Sequence, residues 1–593
     1  MRPTGTGIAV TIFWLAALTR TAAAVEAPVA EAVMRHDREA VYALLDAGAD
    51  ANAALGDGMT GLHWAALHGD VDITRLLLDA GARIETTTRL GSHTPLHVAS
   101  RSARAEVART LLEAGANPLA VTTTGATPLH FAAQAGRPST IKALLEHGAA
   151  PDPREPVWGQ TPLMFAAAAA RVEAVKALLS GGADPSLTAT VINITARNEA
   201  DQVDSRRRQT RSTRRPSDRL RARPRTPRGR PDRSAPRHIR QNPGTVPDSR
   251  PVRAAAATES VLQEEPEPLG FADLVGSHGG LTALLLAARD GHTETALTMI
   301  AAGADINRVS ASDGTSPLLI ATINGHFDLA MQLIILGADP TLSSQAGATP
   351  LYGALNMQWA PKARHPQPTD YQQQEVSYLE LMTALLEAGA DVNSRLTKSL
   401  WYTTYNRDLL GVDRTGATAF WRAAYALDVP AMRLLLAYGA NPNRPTLKVP
   451  SRRRPATPDP SGLPPTPLGG TAVSPLLAAS GVGYGQGFAG NSHRHVEYGW
   501  LPAVRFLVEE LGANVHDRDH DGYNAIHHAA ARGDNQLIMY LAGQGVDVSQ
   551  VSRRGQTTAD MANGPVQRTQ PFPDTVALLE SLGAQNSHQC LSC

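Results

Sequence analysis

One four-residue signature returns along this chain at a fixed interval, and that interval restricts the fold more than any other feature. Thr60-Gly61-Leu62-His63, Thr94-Pro95-Leu96-His97, Thr127-Pro128-Leu129-His130 and Thr161-Pro162-Leu163-Met164 begin 34, 33 and 34 residues apart. A period of that length belongs to stacked helical hairpins, each too small to bury its apolar face alone. Worn copies follow at Thr282-Ala283-Leu284-Leu285, Ser316-Pro317-Leu318-Leu319, Thr349-Pro350-Leu351-Tyr352 and Thr418-Ala419-Phe420-Trp421. Others stand at Ser474-Pro475-Leu476-Leu477, Asn524-Ala525-Ile526-His527 and Thr557-Thr558-Ala559-Asp560. At 593 residues the chain exceeds what one ordinary core can hold. Units that pack only on their neighbours escape that limit.

Within one unit, Thr60 is placed to cap a helix, because its hydroxyl can accept from an orphan backbone donor of the first turn. Pro95, Pro128 and Pro162 occupy the first helical position, where a missing N–H is not needed. Leu62, Ala65 and Ala66 form a narrow apolar stripe, and the small alanines permit close approach of the next hairpin. Gly69-Asp70 ends this helix; a second runs through Val71, Ile73, Leu76, Leu77 and Leu78 to Ala80-Gly81-Ala82. Gly81 falls where a helix end wants a left-handed residue. The ending recurs as Gly115-Ala116-Asn117, Gly303-Ala304-Asp305, Gly337-Ala338-Asp339, Gly389-Ala390-Asp391 and Gly439-Ala440-Asn441.

The Thr-Pro-Leu-His-x-Ala-Ala start, the Leu-Leu-x-x-Gly-Ala-Asp/Asn end and the period together resemble the ankyrin repeat, over roughly two-thirds of the chain. The resemblance implies an all-α repeat solenoid of about 12 repeats, L-shaped in section, with a β-turn finger per repeat and a concave groove that holds partner proteins. It also implies that His63, His97, His130 and His527 serve the repeat, hydrogen-bonding backbone near the capping Thr60, Thr94 and Thr127. A metal or catalytic role for a residue repeated with the scaffold is disfavoured.

Residues 1–24 read as a signal peptide: a basic start, an apolar run from Gly7 to Leu18 and the small-residue site Ala22-Ala23-Ala24. The run is shorter than the ~20 residues a membrane span needs. An extracytoplasmic location, periplasmic or secreted, is therefore expected, with no membrane span after cleavage. The repeats divide into an N-terminal lobe, 25–187, and a C-terminal lobe with insertions, 271–585. Between them, 188–270 is expected to be a disordered linker. From Arg197 to Arg253 it holds 18 Arg, no Lys and 6 acidic residues, a net of +12 in a chain whose formal charge is zero. In an exported protein such a linker reads as a solvated tether, and nucleic acid is not the expected partner. The tail, 586–593, holds Cys590 and Cys593; in an oxidising compartment they would close a small exposed disulfide, with metal capture shared with a partner as the alternative.

Four insertions interrupt the second set of repeats: Trp359 to Val376, Arg395 to Val412, Arg444 to Thr471 and Gly481 to Trp500. They concentrate aromatics: Trp401, Tyr402 and Tyr405 in one, Tyr484, Phe488, Tyr498 and Trp500 in another beside His493 and His495. Aromatics outside a repeat core suit binding hot spots, or else private cores that keep an insertion ordered. Three further motifs lack their context. Gly485-x-Gly487-x-x-Gly490 follows a helix start rather than a strand. Asp517-x-Asp519-x-Asp521-Gly522 meets His528 where a calcium loop needs Glu. His493-x-His495-x-Glu497 lies on a Gly-rich loop with no supporting ligand. No constellation assembles an active site or a cofactor site, so the expectation is a monomeric, non-enzymatic scaffold for a protein partner. A redox or metal-handling accessory that uses the tail cysteines is the alternative.

Overall fold

The computed structural model describes residues 27–213, 266–361, 368–403, 410–451, 458–487, 490–565 and 570–588. Among them run twelve helical hairpins, from Pro28–Met34 with Arg38–Asp46 to Thr558–Ala562 with Pro573–Ser581. The first helices are short because Thr, Ser or Asn starts them and a Gly or a polar turn stops them within two turns. Thr94, Ser316 and Asn524 each accept from the backbone N–H three residues on. Gly81 adopts φ 80°, and the next amide, Ala82 N–H, bonds back to Leu77 O at 2.9 Å. That closure suits glycine because a Cβ is strained in the left-handed region.

The core is a line of small side chains. Ala65, Ala66, Ala99, Ala132, Ala133, Ala166 and Ala167 are fully buried where successive first helices meet. Ile73, Leu77, Val107, Leu111, Ile141 and Leu144 fill the space beneath the second helices. The fingers join through single backbone bonds: Arg89 N–H to Asp57 O (2.8 Å), Thr123 N–H to Gly91 O (3.0 Å), Gln345 N–H to Asp313 O (2.7 Å) and Arg553 N–H to Asp521 O (2.9 Å). Each repeat thus touches its neighbours through both layers.

The stack does not break into two lobes. The fifth hairpin (Pro162–Ala168, Val172–Ser180) packs directly on the sixth (Ala283–Arg289, Thr293–Ala301), and His292 Nε2 lies 3.2 Å from Ala168 O. The intervening residues are an insertion at the tip of one finger. Its stem is an antiparallel hairpin, β1 (Val191–Asn193) with β2 (Ser277–Gly279), Val191 opposite Gly279. Thr190 N–H bonds to Trp158 O (2.7 Å), so the stem continues the finger series. Residues 188–213 are accordingly ordered, against the sequence expectation: after β1 comes a helix, Ile194–Thr213, which packs on Phe271–Val275. The composition argument weighs buried side chains, whereas this stem is held by backbone bonds to a ready-made neighbour. Phe271–Val275 belongs to the insertion, and the repeats resume only at Ala283. Residues 214–265, which carry most of the Arg-rich run, lie outside the described residues, as do 1–26.

The other insertions fold back on the stack. Asp328 accepts from Glu375 N–H and Val376 N–H, which holds down the first. Arg553 donates to Asp459 and to the carbonyls of Leu463 and Pro464, which straps the third across the fingers. Val496 N–H bonds to Ala426 O, and Arg494 reaches Tyr371 OH at 3.2 Å, tying the fourth insertion to the first.

Candidate protein-binding surface

The histidine of the signature joins one repeat to the next finger. Thr60 N–H donates to His63 Nδ1 (3.2 Å), so the proton sits on Nε2, which faces His93 O at 3.0 Å. His97 and His130 repeat the arrangement towards Ala126 O and Gln160 O. His527 keeps only the near half, with Asn524 N–H on its Nδ1. Burial of these rings disfavours the charged form: it lowers all four pKa values, His97 to about 4 and His527 to about 3.

The aromatic insertions pack mostly on the chain itself. Tyr484 and Trp500 meet edge to face at 5.7 Å, and the Arg532 guanidinium lies 3.5 Å from the Trp500 ring centre. His493 stacks on Tyr425 at 4.3 Å and is flanked by His495 at 5.0 Å. This nest fills the bend left where the tenth hairpin is split, so Tyr484 and Trp500 are half-buried in a private core, one of the two roles that the sequence left open. His493 is buried with them and His495 half-buried. Trp401 and Tyr402 form a short turn beside the helix Phe271–Val275. Tyr498 remains, 89% exposed. Tyr405, Phe488, Cys590 and Cys593 lie outside the described residues.

The remaining motifs have local explanations. A Cβ on Gly485 would meet Met561 Cε at 2.0 Å, and one on Gly487 would meet the Leu410 backbone at 2.4 Å. Gly485 thus permits close packing of the fourth insertion on the twelfth hairpin, and Gly487 its packing on the second insertion. Asp519 accepts from Asp521 N–H and Tyr523 N–H (both 2.9 Å) while its other oxygen faces buried His528 at 3.3 Å. The apparent calcium half-motif is a finger turn whose second carboxylate is buried against a histidine.

Insertions also decide which part of the groove is open. The second runs from its finger back to the insertion that precedes the sixth repeat, where Lys398 Nζ donates to Asp273 O at 3.1 Å. Glycines of the fourth then abut Leu410 and Val412. Among the described residues, insertions therefore lie against repeats six to ten, and none interrupts repeats two to five. Over this open half the fingers present apolar tips: Leu90 (80% exposed), Val121, Val157, Trp158 (51%) and Val191 at the hairpin stem. Backbone bonds from Thr123 to Gly91 and from Thr190 to Trp158 set these tips side by side. The repeat signature does not mark them, although one apolar residue or pair recurs in each of these fingers.

Twelve stacked hairpins with bonded fingers, an alanine-lined core and a partly open concave face define a solenoid scaffold. Models of ankyrin repeats match residues 29–122, 119–189 and 261–355, and a further ankyrin model matches 492–542. The chain belongs to the ankyrin repeat family, whose repeats generally mediate protein–protein interaction. The structure carries the repeat through the interval between the last two matches, where Tyr378–Glu387, Ala419–Tyr425 and Val429–Ala437 stack in register. Two relatives are similar over short stretches. A transient receptor potential cation channel subfamily A member 1 homolog of Caenorhabditis elegans is 49% identical over 59 residues, 10% of this chain and 5% of that protein. Protein PhlB of Serratia liquefaciens is 42% identical over 73 residues, 12% of this chain and 32% of its own length. The chain thus spans about a twentieth and about a third of these relatives. Among the described residues, no helix is long and apolar enough to cross a membrane.

Proposed function

We propose that this chain is a non-enzymatic scaffold that holds a protein partner on the fingertips and open groove of repeats two to five, outside the cytoplasm. The observation that carries the reading is the row Leu90, Val121, Val157 and Trp158, exposed side by side on bonded, pre-ordered fingers. A rigid frame that already presents large apolar side chains loses little conformational freedom on binding. Tryptophan is among the residues that dominate interface energies. Repeats six to ten then serve as the stiffening half, since insertions lie against them. The extracytoplasmic part of the proposal rests on the leader-like start Met1 to Ala24.

In-cell cross-linking followed by capture of the full-length chain tests both parts. A partner recovered with wild type and lost with Leu90→Ser, Val121→Ser, Trp158→Ser supports the fingertip surface; its equal recovery with the triple variant refutes it. Tyr498→Ala, which leaves the fingers untouched, retains the partner. Cell fractionation with N-terminal sequencing places the mature chain outside the cytoplasm, starting at Val25; an intact Met1 in the cytoplasmic fraction refutes the location.

A further inference from the structure

At the turn between the two helices of a repeat, one residue is placed to cap the second helix. In repeats one, two, nine and eleven it is Asp37, Asp70, Asp428 or Asp534, and each accepts from the backbone N–H three residues on. Repeats three, four and five place Arg104, Arg137 and Arg171 there instead, and none of these three helices has a side-chain cap. Arginine at that position forgoes the cap and sets a cation against the positive end of the helix dipole. Three consecutive exceptions to a local rule mark a surface whose charge serves something other than the helix.

These cations are presented to solvent. Arg104 and Arg171 each donate Nε to a carbonyl of the preceding repeat, Leu67 O and Gln134 O, both at 3.1 Å. Their terminal nitrogens, and the guanidinium groups of Arg137 and of exposed Arg101, meet no carboxylate among the described residues. The first helices and turns of repeats three to five hold these four cations and no acid. The acids of the same repeats stand elsewhere. Glu106, Glu113, Glu146 and Glu173 lie on the second helices. In the fingers, Glu155 is buried and accepts from Val157, Trp158 and Gln160 N–H, while Asp152 accepts from Asp184 N–H. On the first helices that lead into the basic turns, Phe131 and Phe165 are half-buried at the signature position that Trp64 holds in repeat two.

We propose that repeats three to five dock an acidic segment of the protein partner, its carboxylates on Arg101, Arg104, Arg137 and Arg171 and its apolar side chains on Phe131 and Phe165. The inference rests on the scaffold reading of this half of the stack and adds the chemistry of what is held. An exposed ion pair contributes little singly, so the row acts through its number and is weakened by salt. The chain's own residues 214–265 hold 13 Arg and 6 acidic residues, and like charge turns them away from this row.

A phage-displayed library of random linear peptides, selected against the full-length chain, is the probe. Acidic peptides with aromatic or leucine side chains should be enriched, and their affinity should fall at high salt. Arg137→Asp supplies the cap that Asp70 provides in repeat two, so the variant is at least as stable as wild type, yet it weakens these peptides by about tenfold. Arg101→Gln, which breaks no hydrogen bond among the described residues, weakens them by about threefold. Selection of neutral or basic peptides, acidic peptides indifferent to both variants, or equally tight binding of a single-stranded oligonucleotide overturns the proposal. Peptides lost with Leu90→Ser, Val121→Ser, Trp158→Ser but retained by Arg137→Asp overturn it and leave the scaffold reading standing. Failure to enrich any peptide while cross-linking still captures a partner does the same.

Discussion

Acidification should loosen this stack at its histidines, and His97 offers the sharpest test. Its Nδ1 accepts from Thr94 N–H (3.2 Å) and lies 2.8 Å from Thr94 Oγ1, while Nε2 faces Ala126 O in the next finger. Protonation would set an Nδ1–H against a backbone N–H in a fully buried position. Burial, the largest cause, lowers the folded pKa from 6.5 to about 4. The unfolded chain therefore binds the proton first. The stabilisation is fully present above the unfolded value and is lost as pH falls from about 6.5 towards 4. Between pH 7 and pH 5 the loss attributable to this ring is about 2 kcal/mol, or about 30-fold in local opening. Repeat stacks open in parts, so the readout must be local. Hydrogen exchange of the helix Pro95–Arg101, corrected for intrinsic rates, should be compared in wild type and His97→Gln at both pH values. The variant is less protected at pH 7, and the gap narrows by about 30-fold at pH 5 because glutamine does not titrate. His63 and His130 titrate in both proteins and cancel. A gap that stays constant or widens on acidification refutes the assigned tautomer and the role of burial.

Three further outcomes are expected. Excising residues 214–265 shortens the loop closed by β1 and β2, so stability should change by no more than about 1 kcal/mol and the calorimetric profile should keep the transitions of wild type; a transition that appears only on excision would refute the continuous stack. Arg532→Gln removes the guanidinium from Trp500 and its bond to Asp534 (3.1 Å), leaving that carboxylate its amide donor alone. The nest around Trp500 should loosen by about 2 kcal/mol, read as a red-shifted tryptophan emission and faster exchange over 490–505. Leu90→Ser, at a fingertip, should leave stability within about 0.5 kcal/mol of wild type by thermal unfolding.

What the linear chain determined is what depends on neighbours close in sequence. A Thr or Ser cap, a proline at the first helical position, alanines three and four residues on, and a glycine that closes the second helix act within a few residues of one another. Their recurrence every 33–34 residues was enough to define the hairpin and the stacking principle, and the resemblance to ankyrin repeats implied the structural role of the histidine. Tertiary structure decided everything that turns on which distant segments meet. The Arg-rich insertion reads as a break between lobes, yet the two chain segments that flank it form one hairpin, because the fifth finger offers Thr190 a waiting carbonyl at Trp158. Tyr484 and Trp500 read as hot spots or as a private core, and Arg532, lying 3.5 Å from Trp500 and contributed by the next repeat, draws them into the second. Leu90 and Trp158 carry no mark in the repeat signature, yet they stand exposed at the fingertips, and among the described residues no insertion interrupts their repeats. Exposure and enclosure are properties of pairs of surfaces, and a local pattern records only one of them.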